Sequence, residues 1–312
     1  MKLSWLRGAR PVAFSALLVV LAGACSSDPV GPDATAPALD PAEATAALAV
    51  YASNLSAAYT ESVTDAEALE VKLQALVATP SAATLEAAKV EWLKSRQNYM
   101  LTEGARFYDG PIDAEPENYE GALNSWPFDE AYIDYVADGP TRTEDGLPGD
   151  GGLIASDVPL TPENLDDLNG EGGDENISAG YHAVEFLLWG QAVRDVGPGE
   201  RPFTDYDGSD AAHGDTAARR GQYLLAAVDG IIGHLKSVAD AWKEGAPYRT
   251  AFVANEGNKS IVDVLSGLGK MSKGELAGER INAGLESKAR RDQHNCFSST
   301  TLVDYARDAQ GI

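Results

Sequence analysis

Apolar residues recur at helical spacing from residue 42 onward. Between Glu43 and Val77 no Gly or Pro interrupts them, which predicts two helices with a break near Thr64–Asp65. Ser81 follows Thr79-Pro80 and is the predicted N-cap of a helix that continues to Arg106. No stretch shows the alternation of β-branched residues that is typical of strands. The fold class is therefore predicted to be all-α.

The second half of the chain has the same helical period. A helix is predicted from Asn176 through His182 and Glu185, and a longer one with an apolar stripe from Thr216 to about Glu244. Segment 141–175 is rich in Gly, Pro and Asp, so we predict a loop there. The remaining predicted helices are Trp126–Val136, Tyr248–Phe252, Ser260–Leu268, Gly274–Glu286 and Ser299–Ala309.

These elements divide the chain into two candidate domains. The 312 residues are enough for two modest domains with real cores. We place an N-terminal helical bundle at 42–140, an inter-domain loop at 141–175 and a C-terminal helical bundle at 176–312.

The N-terminus has the pattern of an export signal. Lys2, Arg7 and Arg10 precede the apolar run Pro11–Leu21, which is too short to span a bilayer, so we predict a signal peptide at 1–24. The residues before Cys25 resemble a bacterial lipobox, which implies that Cys25 is diacylated. The alternative is an ordinary signal peptide cut nearby, which leaves a soluble secreted protein. Residues 25–41, rich in Pro, Ser, Ala and Asp, are predicted to be a flexible tether.

The net charge and the cysteine content exclude some classes of partner but do not identify one. The net charge is −24, and removal of the signal peptide takes three basic residues and no acidic one, leaving about −27. Such a chain repels nucleic acid and anionic headgroups, so no nucleic-acid partner is expected. Cys25 and Cys296 are the only cysteines, and we expect Cys296 to be a buried structural thiol, with metal ligation as an alternative.

One short motif could carry chemistry. The sequence contains no HExxH, no G-x-S-x-G and no phosphate-binding glycine loop. In Gly180-Tyr181-His182-Ala183-Val184-Glu185, positions i and i+3 put an imidazole and a carboxylate on one helix face, which suits a first-row divalent metal. Gly180, without a side chain, would allow another backbone to approach. The alternative is a His–Glu hydrogen bond within the core.

The stretch from Gly180 to Gln191 resembles the G-x-H-x-x-E signature of the imelysin family, which includes iron-regulated protein A-like proteins. The resemblance extends from about Pro41 to the end of the chain. Further matching blocks lie at 102–107, 110–113, 126–134, 199–206, 272–280 and 294–298.

The resemblance implies two helical bundles related by duplication, with the motif near their junction. It also implies an exported envelope protein connected with the acquisition of iron or another metal. His182 and Glu185 would be the core of a divalent metal site, for iron or zinc, and Glu103, in a matching block of the first half, is our choice for a third ligand. The second-rank candidates for lining the cleft are Glu275, Glu279, Arg280, His294 and Ser298; for the first three, a surface ion-pair set is the alternative.

Two departures from the family pattern stand near the C-terminus. The family usually has Asp and Asn where this chain has Ser299-Thr300. Relatives also continue for further helices beyond the position of Ile312, so the second bundle is either truncated or completed differently.

Three functions remain open from the sequence. The first is a lipid-anchored envelope protein, with the outer membrane favoured by Ser26, that captures a metal ion or an iron-containing ligand. The second is a metallopeptidase, which needs an open coordination position and a base to activate water. The third is a scaffold for envelope protein partners, in which the His182–Glu185 pair is only structural.

Overall fold

The first helix, α1 (Pro41–Ala78), is a single element of 38 residues. Asp40 caps it by accepting a hydrogen bond from the Ala42 amide, and it ends before Pro80. The predicted break at Thr64–Asp65 is wrong. Asp65 is buried and accepts a hydrogen bond of 2.5 Å from Asn98 Nδ2, so a neighbouring helix satisfies it without any break in α1.

The computed structural model describes residues 40–136, 151–194 and 196–312, and these ranges contain helices and no strand. The predicted signal peptide, Cys25 and almost all of the predicted tether lie outside them. No helix in these ranges is long and apolar enough to cross a membrane. The helices after α1 are α2 (Ala82–Met100), α3 (Tyr119–Asn124), α4 (Glu130–Ile133), α5 (Gly152–Ala155), α6 (Pro162–Asp167), α7 (Gly180–Trp189), α8 (Thr204–Asp207), α9 (Ala217–Trp242), α10 (Pro247–Ala254), α11 (Lys259–Lys270), a π-helix (Met271–Asn282), α12 (Ala283–Ser287) and α13 (Thr301–Gly311), with 3₁₀ turns at Glu103–Ala105, Gly214–Thr216, Glu256–Asn258 and Arg290–Asp292.

Helix α7 lies at the centre of the packing. Helix α1 packs along α2 and α9, and α7 packs against both α2 and α9. Trp92 on α2 donates its indole N–H to the Tyr181 carbonyl at 3.0 Å, and the ring of Tyr99 stacks on that of Tyr181. Every residue of α7 is buried, so the G-x-H-x-x-E motif is part of the core.

The predicted loop at 141–175 is wrong over the part that is described. Helices α5 and α6 both form there, and Leu153, Ile154 and Leu165 are buried in the core. The abundance of Gly, Pro and Asp hid two short helices, each of which buries only one or two apolar side chains. Residues Asp40–Ile312 form one compact unit. The proposed boundaries at 42–140, 141–175 and 176–312 stay a prediction.

A buried ionic network ties α9 to the segments around α4 and α8. Asp134 accepts hydrogen bonds from Arg201 Nη1 at 2.8 Å and from Arg220 Nε and Nη2 at 2.7 and 2.9 Å. Asp205 accepts from Arg201 Nη1 at 2.8 Å and from the Tyr135 hydroxyl at 2.7 Å. We call Asp134, Arg201, Asp205 and Arg220 the arginine–aspartate cluster. Its two carboxylates and two guanidinium groups balance in charge.

Candidate ligand-binding cleft

The glycine of the motif allows a close backbone contact. Gly180 has φ of +81°, and a Cβ there would lie 2.5 Å from the Leu123 carbonyl oxygen and 2.6 Å from that of Ala122. A larger side chain would therefore clash with the end of α3 in addition to adopting an unfavourable conformation. The expected backbone approach at Gly180 is confirmed, and it holds α3 against the start of α7.

The imidazole and carboxylate of the motif converge as their spacing predicts. His182 Nδ1 lies 3.1 Å from Glu185 Oε2, and Glu185 Oε1 accepts a hydrogen bond of 2.8 Å from the Ser298 amide. Burial lowers the pKa of His182 well below its usual range, and Arg96 adds to this effect. Burial raises the pKa of Glu185 to about 8. Both groups of the pair therefore favour their neutral forms near neutral pH.

A second imidazole and a buried ion pair adjoin this motif. Arg96 Nη2 lies 2.9 Å from Asp304 Oδ2 and 3.4 Å from both His182 Nε2 and His294 Nδ1. His294 Nδ1 lies 3.1 Å from Asp304 Oδ2. We call His182, Glu185, His294, Arg96 and Asp304 the histidine cluster. Burial lowers the pKa of His294 well below its usual range, so this imidazole is also neutral, the form that binds metals.

A cleft of about 410 Å³ opens above the histidine cluster. The ring of Trp126 lies on its inner side, 4.9 Å from the ring of His182 and 6.2 Å from that of His294 between centroids. His294 thus lines the cleft while His182 lies behind it. The lining residues are Arg106, Glu120, Asn124, Ser125, Trp126, Pro127, Glu275, Glu279, Arg280, Ala283, Asp292 and His294.

The sequence-derived cleft candidates occupy different places. Glu275, Glu279, Arg280 and His294 line the cleft. Ser298 is not among the lining residues and instead donates its amide to Glu185. The π-helix carries the first three of these side chains to one wall of the cleft.

Glu103 is held by two arginines. Its Oε2 accepts from Arg106 Nη1 at 2.8 Å and from Arg280 Nη2 at 2.5 Å. Burial favours its neutral form, but the two guanidinium charges outweigh burial and lower the pKa of Glu103 to about 2. No contact joins Glu103 to His182 or Glu185 among the described residues, so its role as a third ligand stays a prediction.

The fit of a metal ion to the predicted ligands is partial. A separation of 3.1 Å between His182 Nδ1 and Glu185 Oε2 suits two donors at about 2.1 Å from one ion. The other imidazole nitrogen, Nε2, faces a guanidinium group, which opposes a cation there. Over the ranges that the structure describes, no group of three or more His, Cys, Asp or Glu side chains is arranged to hold a metal ion.

Sequence reasoning did not single out Arg96, Asp304 or Asp308 as site residues. Asp304 and Asp308 lie one turn apart on the buried face of α13, and Asp308 Oδ2 accepts from Arg280 Nη1 at 2.8 Å. Burial raises the pKa of Asp308 to about 7. The sequence does carry one sign of this arrangement. Asp304 and Asp308 share one face of α13, while the apolar Leu302 and Val303 lie on the other, exposed face.

Comparison with known proteins agrees with this fold. The imelysin family model matches residues 55–312. Iron-regulated protein A of Synechococcus elongatus is 23% identical over 263 residues, which cover 81% of this chain and 58% of that protein. The chain thus spans less than two thirds of the length of this relative.

A solved structure shows the same fold. It is the crystal structure named as an iron-regulated protein A precursor from Parabacteroides distasonis ATCC 8503, with a TM-score of 0.61 and 15% sequence identity. The similarity covers 88% of this chain and 73% of that one. Since the family model spans well over half of its length, the chain belongs to the imelysin family.

Proposed function

We propose that this protein is an exported, lipid-anchored protein of the bacterial cell envelope that captures a metal ion, iron in the first place, or an iron-containing ligand in its cleft. The observation that carries the proposal is that His294, one of the cleft-lining residues, packs against the buried His182–Glu185 pair, with 4.8 Å between the two imidazole centroids. Burial keeps both imidazoles neutral, the form that binds metals, and a carboxyl of raised pKa gains from a nearby cation.

The walls of the cleft support the capture of a cation. Four carboxylate residues line it against two arginines. Arg106 and Arg280 are both held in ion pairs, with Glu103 among their partners. Glu279 and Asp292 add negative charge to the cleft, which favours the entry of cations.

Within this proposal, His182 and Glu185 bind a divalent ion at the inner end of the cleft. Binding through His182 Nδ1, the nitrogen that faces Glu185, leaves the ring proton on Nε2. Arg96 must then leave its contact of 3.4 Å with Nε2, which is long for a hydrogen bond. The names of the two relatives are consistent with iron as the cargo. Zinc is the alternative ion, because it accepts the same nitrogen and oxygen donors.

The experiment is an anaerobic calorimetric titration of the mature protein with Fe²⁺, beside His182→Ala and the control His234→Ala. His234 is a partly buried histidine on α9 that pairs with Asp166, away from the motif. We expect one equivalent of Fe²⁺ to bind the wild type and the control, and we expect this binding to be lost in His182→Ala. Unchanged binding in a folded His182→Ala variant would remove His182 from the site.

The structural alternative has an observation of its own. His182 and Glu185 are only 1% and 0% exposed and hydrogen-bond each other, as a purely structural pair would. In that case His182→Ala lowers the thermal midpoint, while added Fe²⁺ never raises that of the wild type. A ligand that binds only the native state must raise it, so thermal melts with and without metal separate the two functions. Peptidase activity stays a prediction.

The anchor has a separate test. Cys25→Ser should abolish lipid attachment, so the chain should move from the detergent phase to the aqueous phase in Triton X-114 partition. If the Cys25→Ser variant enters the detergent phase as fully as the wild type does, the chain is not anchored through this residue.

A further inference from the structure

The imidazoles of His182 and His294 differ in the surroundings of their Nε2 atoms. His182 uses Nδ1 toward Glu185 and Nε2 toward Arg96, so both of its nitrogens have neighbours. His294 uses only Nδ1, toward Asp304 and Arg96. Its Nε2 has no hydrogen-bond partner among the described residues. This nitrogen is not fully buried, so solvent can reach it. Since His294 lines the cleft, this nitrogen is the one that cargo can reach.

The contact with Asp304 determines where the proton of His294 lies. A carboxylate can only accept and a guanidinium can only donate, so Nδ1 can hydrogen-bond either Asp304 Oδ2 at 3.1 Å or Arg96 Nη2 at 3.4 Å. The shorter contact, to the carboxylate, assigns the proton to Nδ1. The neutral ring then carries its lone pair on Nε2. Arg96 fixes Asp304 in turn, through Nε at 3.1 Å and Nη2 at 2.9 Å. A carboxylate behind an imidazole in this way orients many metal-binding histidines.

The other walls of the cleft indicate the class of cargo. Trp126, Pro127 and Ala283 give it an apolar wall, and its volume is about 410 Å³. A hydrated ion gains nothing from apolar walls, whereas the carbon skeleton of a small organic chelator does. A single imidazole lone pair can fill one coordination position of an ion that brings its other donors with it. The carboxylates of Glu279 and Asp292 favour a neutral or cationic complex over an anionic one.

We propose that His294 Nε2 is the cleft-facing donor of this protein, that Asp304 is its positioning residue, and that the cargo is a small neutral or cationic metal chelate with an open coordination position. This inference rests on the proposed function of the cleft, but it assigns first contact with the cargo to His294 and not to His182.

The test uses Zn²⁺–iminodiacetate, a neutral complex with three chelator donors and one further position for an imidazole. Protein labelled with ¹⁵N-histidine has four imidazoles to follow by NMR. In the wild type we expect one of them to be the Nδ1–H tautomer whose Nε2 signal shifts on addition of one equivalent of the chelate. Calorimetry should give a stoichiometry of one.

Variants identify the donor. His294→Gln should abolish chelate binding and remove the shifting signal. His182→Ala, which loses free Fe²⁺ under the proposed function, should lose less chelate affinity than His294→Gln does, because the complex needs only one protein donor. His213→Gln, a partly exposed histidine that lies beside Asp210, serves as the control and should bind as the wild type does.

Asp304→Asn tests the positioning role. We expect it to change the tautomer ratio of His294 and to weaken chelate binding about 10- to 100-fold, as removal of such a partner typically does. A merely structural role would lower the thermal midpoint and leave the tautomer unchanged.

Three results would overturn the inference. The first is that a folded His294→Gln variant binds the chelate with wild-type affinity. If His182→Ala then loses the chelate, the proposed function stands but this inference does not. The second is binding of free Zn²⁺ in the cleft with no binding of the chelate. In the third, the wild type binds neither Zn²⁺–iminodiacetate nor free Fe²⁺, and the proposed function fails as well. Because the NMR shift is read on the wild type, misfolding of a variant does not decide the outcome.

Discussion

The arginine–aspartate cluster and the histidine cluster are both buried and both built on arginine, but their electrostatics differ. In the former, burial favours the neutral form of Asp134, but Arg201 and Arg220 outweigh it and lower its pKa. In the latter, burial prevails and raises the pKa of Glu185 to about 8, while the pKa values of both histidines fall. The arginine–aspartate cluster stabilises its own charges. The histidine cluster holds a carboxyl group, that of Glu185, which would be stabilised as a carboxylate by an added cation.

This difference separates structural burial of charge from burial that can serve binding. Buried charges are usually paired, and a pair by itself indicates no function. The histidine cluster departs from that rule because His294 lines a cleft and makes its hydrogen bonds through Nδ1, which leaves its Nε2 without a partner among the described residues. Pairing and access, more than burial itself, distinguish the two regions.

The largest expected effect is on the arginine–aspartate cluster. Asp134→Asn removes the charge that accepts three hydrogen bonds from Arg201 and Arg220. We expect the free energy of unfolding to fall by about 3–5 kcal/mol, because two buried guanidinium groups lose one of the two carboxylates that compensate them. Urea unfolding measures this change. Lys236→Met is the control, since its pair with Glu67 is half exposed and should contribute less than about 1 kcal/mol. Similar losses in both variants would contradict a structural role for this cluster.

The next effect concerns the backbone under the histidine cluster. Gly180→Ala should destabilise the protein by about 3 kcal/mol, because a left-handed conformation and a clash with the Leu123 carbonyl add together. Gly230→Ala is the matched control within α9, where a Cβ meets only Pro162 at 3.8 Å. This second change should stabilise by about 0.5–1 kcal/mol through helix propensity. Equal stability of the two variants in thermal melts would show that Gly180 is not required.

A smaller effect is expected on the pH dependence of the free energy of unfolding, through the ionisation of Glu185. Its folded pKa of about 8 lies above the usual glutamate value of 4.5, so the folded state retains a proton that the unfolded state releases. This contribution is complete below the unfolded pKa and is lost as pH rises through about 8. Between pH 5.5 and 7.5 it should cost the wild type about 2–3 kcal/mol, at about 1.4 kcal/mol for each pH unit.

Glu185→Gln isolates this contribution because glutamine does not titrate. Unfolding free energies of the variant and the wild type, measured from pH 5 to pH 9, should diverge in favour of the variant as pH rises. Parallel curves would show that Glu185 is ionised in the folded protein over this range, and the contrast between the two clusters would then disappear.

The sequence predicted the local features of the fold and of the site. Helical periodicity predicts most of the helices, including α9 with its buried stripe, because a period of 3.6 reflects which face is buried. The pairing of His182 with Glu185 follows from their spacing within one helix. The contact at Gly180 follows from the missing side chain.

Long-range contacts were beyond the sequence. Arg280 reaches Glu103 across 177 positions, and Arg96 reaches Asp304 across 208. No local pattern encodes such pairs. The sequence therefore gives no sign that two arginines hold Glu103, and it did not single out Asp304. A long-range contact also explains why α1 continues through the predicted break. Asn98 on α2 donates a hydrogen bond to the buried Asp65, so this polar residue does not end the helix.

The most direct test of the account is an anomalous difference map at the iron edge, from crystals of the mature protein soaked with Fe²⁺ without oxygen. We expect one strong peak at the inner end of the cleft, within coordination distance of His182. Iron bound only elsewhere, for example at His213 or His234, with no peak in the cleft, would contradict it.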